Sequence, residues 1–204
     1  MRELIAVLRG ITPAEVAAVG DAVLTAGFDR IEVTLNSPDP LASIAILVRE
    51  FGSSAMVGAG TVLHPDEVRQ VAETGARMIV SPDCNPEVIT TTKALGLESY
   101  PGVITPTECF SALRAGADGL KLFPAHVLGT NGVRAIRAVL PPDCRLYAVG
   151  GVAPANFASW RAAGINGFGL GNALYRPGRT PAEVAQVARE GVAAYDAIFE
   201  TQPD

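Results

Sequence analysis

Short apolar runs alternate with longer amphipathic stretches eight times along the 204 residues. Runs of three to five residues bounded by glycine, proline or aspartate read as buried strands, and stretches with a period near 3.6 read as helices laid over them. The pattern predicts strands at 5–8, 31–35, 56–59, 78–81, 99–101, 119–123, 145–149 and 167–170. Helices are expected between them at 13–26, 38–51, 65–75, 86–95, from 106, 131–140, 154–163 and 181–199. Three of the helix starts, at Thr12, Thr105 and Thr180, share the order Thr-Pro-x-Glu. A hydroxyl before the helix, proline at its first position and glutamate three residues on make a capping box. Eight β-α units of about 25 residues fit a single-domain (β/α)8 TIM barrel over residues 1–204. The competing open sheet usually has fewer strands and a glycine-rich first turn, whereas the glycines here follow the third, seventh and eighth strands.

In a barrel the chemistry gathers where strands end at their C-terminal side. One of the chain's two lysines, Lys121, sits in the apolar run Gly119-Leu120-Lys121-Leu122-Phe123-Pro124. Lysine is almost never buried without a reason, and desolvation lowers its pKa toward a neutral, nucleophilic amine. The plain alternative is a lysine that snorkels to solvent or pairs with a carboxylate. Glu32 lies on the second strand, where Ile31, Val33 and Leu35 face the helices and Glu32, Thr34 and Asn36 face inward. The second and sixth strands share a side-chain layer, so Glu32 and Lys121 are expected to reach toward one another. That arrangement serves either a buried ion pair or acid-base chemistry at an imine.

Gly150-Gly151 and Gly169-Leu170-Gly171-Asn172 follow the last two strands, the usual phosphate position in this architecture. Gly58-Ala59-Gly60-Thr61 offers N–H groups and a hydroxyl suited to a carboxylate, and Arg9 offers a cation to an anionic end of a substrate. His64 is expected at a helix start, His126 in a loop near the Lys121 strand, and Trp160 in packing. With two histidines and no ligand-spaced cluster, no metal site is expected.

Composition narrows the partners. Hydrophobic residues make up 49% and charged ones 18%, which suits a large core and argues against disorder. The net charge of −5, with scattered basic residues, argues against nucleic acid and anionic membranes. Arg9 interrupts the first apolar run and no run is long enough to span a bilayer, so neither signal peptide nor membrane span is expected. Cys84, Cys109 and Cys144 have no paired spacing and read as reduced thiols of a cytoplasmic protein.

Across nearly the whole chain, Leu8-Arg9-Gly10-Ile11, Ile31 to Pro38, Gly58 to Val62, Gly119 to Pro124 and Val149 to Val152 resemble the 2-keto-3-deoxy-6-phosphogluconate and -galactonate aldolases. The resemblance implies a class I aldolase with Lys121 as the Schiff-base residue, Glu32 as proton shuttle and no cofactor. It further implies Thr61 at the pyruvate carboxylate, and Arg9, Gly150, Gly151, Gly171 and Asn172 at the rest of the phosphorylated substrate. Asn36 and Val149 stand where the gluconate enzymes usually carry Arg and Thr, which points to the galactonate branch. Asn172 departs from the usual Ser, and Ala125-His126 from a small-residue pair. The implied reaction is reversible cleavage of 2-dehydro-3-deoxy-6-phosphogalactonate to pyruvate and glyceraldehyde 3-phosphate by a homotrimer. A gluconate or dual-specificity aldolase, a phosphosugar isomerase or epimerase using Glu32 as base, and a non-catalytic sensor remain as alternatives.

Overall fold

A computed structural model describes residues 2–199. Nine parallel strands, β1 (Leu4–Leu8), β2 (Arg30–Thr34), β3 (Met56–Gly60), β4 (Met78–Val80), β5 (Glu98–Tyr100), β6 (Gly102–Val103), β7 (Leu120–Leu122), β8 (Leu146–Val149) and β9 (Gly167–Leu170), form one sheet. Their order is β5-β4-β3-β2-β1-β9-β8-β7-β6. The expected fifth strand at 99–101 stops at Tyr100 as β5, and β6 begins just beyond Pro101, so the two ends of the sheet are joined through a single residue. Proline has no N–H for the ladder, and the strand changes partner there. β5 pairs with β4 and β6 with β7. The Pro101 carbonyl still accepts from Lys121 N at 2.9 Å, which closes the barrel at the lysine strand.

Eight helices cover the barrel: α1 (Val16–Thr25), α2 (Pro40–Phe51), α3 (Pro65–Glu73), α4 (Pro86–Ala94), α5 (Pro106–Arg114), α6 (Ala125–Arg137), α7 (Phe157–Ala162) and α8 (Pro181–Phe199). Two Thr-Pro-x-Glu motifs act as expected. The Thr105 hydroxyl accepts from Glu108 N at 3.3 Å while the Glu108 carboxylate accepts from Thr105 N at 2.8 Å. Thr180 and Glu183 repeat the pattern at α8. The first motif differs, and α1 starts only at Val16. There the Thr12 hydroxyl donates to Glu15 at 2.7 Å, and the other Glu15 oxygen accepts from Tyr175 OH rather than from the Thr12 backbone. A turn from Ala125 precedes the expected helix within α6, and Gly129, at φ +67°, separates it from the stretch that the periodicity predicts.

Strand alternation creates two apolar regions. Outward residues such as Leu4, Ala6, Ile31, Val33, Leu120, Leu122, Phe168 and Leu170 join the helices in the main core. Inward residues Ile5, Met78, Val80, Tyr100 and Tyr147 fill the barrel itself. The Tyr100 and Tyr147 rings meet edge to face, 5.1 Å apart. Gly119 lies against both rings, where a Cβ would come within 2.8 Å of Tyr147 and 3.0 Å of Tyr100. Beneath them, Glu3 accepts from Tyr147 OH and from Arg30, and Glu98 accepts from Tyr100 OH. The N-terminal end of the barrel is thus closed by tyrosines whose polar tips are all engaged, and the opposite end is left for chemistry.

Candidate active site

Lys121 is central in β7, a strand paired on both sides, and its inward parity puts the side chain within the barrel. It is 4% exposed, so it does not snorkel to solvent. Its Nζ lies 5.0 Å from the centroid of the Phe123 ring, two residues further along the same face. Glu32, on β2, is 1% exposed. Neither of its carboxyl oxygens has a hydrogen-bond donor from the described residues, and a Cβ at Gly60 would collide with Oε1. Burial pushes the Lys121 amine down from the ordinary lysine value, with Glu32 opposing that shift and Arg9 adding to it. Burial pushes the Glu32 carboxyl up, against the charges of Lys121 and Arg9. Both groups are therefore driven toward their uncharged forms.

Two connected spaces meet at Lys121. A chamber of about 10 Å³ lies on the floor side, lined by Glu32, Lys121, Val80, Tyr100 and Tyr147 among others. Its free space suits about one water molecule. A larger pocket of about 750 Å³ opens outward and is lined by Lys121, Arg9, Thr61, Phe123, the Gly150-Gly151 turn and the Gly171-Asn172 turn. Lys121 lines both spaces, whereas Glu32 lines only the lower one. Val149 and Gly169 also border both. The open glycine positions suit an anion. Gly150 and Gly151 adopt φ of +90° and +74°, and leave backbone rather than side chains at the rim.

Arg9 follows β1, which pairs with β9, and it lines the pocket together with both glycine turns. Its guanidinium crosses toward β2 and β3, donating to Asn36 Oδ1 at 2.9 Å and to Thr61 Oγ1 at 3.3 Å. Thr61 itself is held at φ +59°, a left-handed conformation that strains a β-branched residue at the end of β3. Asn36 contacts Arg9 but does not line the pocket. His126 is exposed at the start of α6, where its side chain covers Gly151 from outside the pocket. His64 is exposed ahead of α3, where the Glu67 carboxylate accepts from its backbone N–H at 3.0 Å, and Trp160 is buried in α7. Among the described residues no group of three His, Cys, Asp or Glu side chains is placed to hold a metal ion, and no helix is long and apolar enough to cross a membrane. The sequence reading did not single out Phe123, Tyr100 or Tyr147. Their signal was parity with Lys121 and Val149 on inward strand faces.

The family described as "Aldolase: KDPG and KHG aldolase" matches residues 1–188 of this chain. A probable 2-dehydro-3-deoxy-6-phosphogalactonate aldolase of Rhizobium meliloti (strain 1021) is 49% identical over 198 residues, covering 97% of this chain and 93% of its own. The 2-dehydro-3-deoxy-6-phosphogalactonate aldolase of Escherichia coli (strain K12) is 47% identical over 192 residues, covering 94% of each. A solved structure described as native KDPGal superposes with a TM-score of 0.95 at 46% identity, over 97% of this chain and 96% of that one. With its closed parallel barrel and a buried amine opposite a buried carboxyl, the chain belongs to the KDPG and KHG aldolase family and is a carbon-carbon lyase.

Proposed function

We propose that the protein reversibly cleaves 2-dehydro-3-deoxy-6-phosphogalactonate to pyruvate and D-glyceraldehyde 3-phosphate through an imine on Lys121. The observation that carries this reading is the burial of the Lys121 amine between a carboxyl-lined chamber and an anion-sized pocket. Burial that lowers the pKa of an amine favours its neutral, nucleophilic form. It adds to the C2 ketone, and loss of water from the carbinolamine gives a protonated imine. When the C3–C4 bond breaks, its electron pair moves into the iminium to give an enamine, and the C4 hydroxyl loses its proton as the aldehyde forms. Protonation at C3 and hydrolysis then release pyruvate and restore the amine. Glu32 carries the protons, acting from the lower chamber on atoms at the Lys121 nitrogen and through a water that the chamber has room for.

Thr61 holds the pyruvate carboxylate, and the turns at Gly150-Gly151 and Gly171-Asn172 hold the phosphate with backbone N–H groups. Asn172 is exposed at that rim, so its amide is free to donate in place of a hydroxyl. Val149, beside Lys121 on the adjacent strand, presents an apolar surface near the reacting carbons. The chemistry needs no metal or organic cofactor. Free Cys84, Cys109 and Cys144 are in keeping with a cytoplasmic protein. We take the assembly to be a homotrimer, as the resemblance to the family implies.

Borohydride with pyruvate is expected to leave one stable adduct, on Lys121, and Lys121→Met to abolish both adduct and cleavage. Full cleavage by that variant would sink the imine mechanism. For the substrate, kcat/KM for the galactonate epimer is expected to exceed that for the gluconate epimer, with Val149→Thr narrowing the ratio. Equal values for the two epimers in the unaltered enzyme would mean dual specificity. Light scattering is expected to give three times the chain mass, and a monomer mass would refute the trimer.

A further inference from the structure

The two side chains that accept from the Arg9 guanidinium stand differently toward the pocket. Thr61 lines it together with Arg9, whereas Asn36 does not. Asn36 nonetheless takes the shorter bond, 2.9 Å against 3.3 Å. It therefore sits beside the cation on the side away from a ligand. A guanidinium is a planar fork of five N–H donors, so tying two of them to fixed neighbours sets the direction of the others.

The loop that carries Asn36 is itself pinned to the loop that carries Arg9. Ser37 Oγ accepts from Gly10 N at 2.8 Å and lies 3.0 Å from Thr34 Oγ1, a buried hydroxyl at the end of β2. Residues 9–10 and 36–37 are thus tied twice, once through the Arg9 side chain and once through the Gly10 backbone. The result holds the guanidinium beside Asn36 and Thr61, at the ends of β2 and β3. The charge remains within electrostatic reach of both Lys121 and Glu32. In a 2-keto acid the carboxylate is bonded to the carbon that the amine attacks, and the phosphate lies at the far end of the carbon chain. An anion that meets Arg9 in this position is the carboxylate.

We infer that Asn36 is a positioning residue: it aims Arg9 at the carboxylate of the bound keto acid, and its influence on the substrate runs through that guanidinium. The inference rests on the imine reading above and moves Arg9 from the phosphate end to the keto-acid end of the pocket. A side chain that touched the substrate itself would affect binding whether or not Arg9 were present. One that acts only by holding Arg9 has nothing to hold once the guanidinium is gone.

The test is a double-mutant cycle read by borohydride trapping with pyruvate alone, which has a carboxylate and no phosphate. The unaltered enzyme, Asn36→Ala, Arg9→Ala and the double variant are compared by second-order trapping rate constant and, where saturation is reached, by limiting rate. Asn36 is exposed, and thermal melting checks that its variant is folded. Asn36→Ala is expected to lower the second-order constant about three- to tenfold, the effect of one hydrogen bond to a cation at a partly exposed site. Its limiting rate is expected to stay within about twofold, a loss of binding rather than of chemistry. In the Arg9→Ala background the same substitution is expected to change nothing. A full additional loss in the double variant, or no loss in Asn36→Ala alone, overturns the inference. Absence of any adduct on the unaltered enzyme overturns the imine reading instead, so the two failures are distinguishable.

Discussion

An ammonium ion cannot be held cheaply where Lys121 is held. The barrel wall, the helices outside it and the tyrosines beneath it remove water from the amine, and no hydrogen-bonded carboxylate replaces that water. That cost lowers the pKa of the amine and favours its neutral form. Other features of the site follow from that constraint. The same burial drives the carboxyl on β2 toward its neutral form, and no hydrogen bond from the described residues ties either of its oxygens. Arg9 adds positive potential without touching the amine, and so favours the neutral amine further. A single low-polarity volume thereby favours the neutral forms of two residues that would both be charged in water.

Keeping water out from below is the task of the barrel's N-terminal end. The inward tyrosines offer large apolar rings to the chamber and send their hydroxyls down to Glu3 and Glu98. Gly119 is required at that level because its inward direction is already filled by the rings, and two residues later the same face of the strand presents Lys121. The floor and the nucleophile are therefore positioned by one short strand. The pocket above is shaped by the opposite choice. Glycine at 150, 151 and 171 leaves backbone rather than side chains at the rim. Division of labour along the barrel axis separates stability at one end from chemistry at the other.

The barrel was legible in the sequence because each β-α unit carries its own signal, a short apolar run followed by a capped amphipathic stretch. The inward direction of Glu32 and Lys121 followed from strand parity alone. What escaped depended on contacts between distant segments. Thr12-Pro13-Ala14-Glu15 has the same local pattern as the two motifs that cap α5 and α8, yet Glu15 is drawn away by Tyr175, a residue 160 positions later. Arg9 was correctly placed at the end of β1, but its side chain turned toward β2 and β3 because Asn36 and Thr61 offer acceptors there. The break after the fifth strand was written in Pro101, although its consequence, joining the two ends of the sheet, required the neighbouring strands to be known. Local chemistry specified the elements, and tertiary partners decided where long polar side chains went.

The chain's two lysines make the state of the amine directly observable. With carbon-13 at Cε of lysine, the folded protein gives two side-chain signals. One belongs to Lys93, which is held to Asp118 at 2.6 Å, and the other, identified by its loss in Lys121→Met, belongs to the barrel amine. Titrated across pH in the absence of substrate, the Lys121 signal is predicted to change protonation well below the ordinary lysine value of 10.5. A midpoint at or above that value would contradict the account.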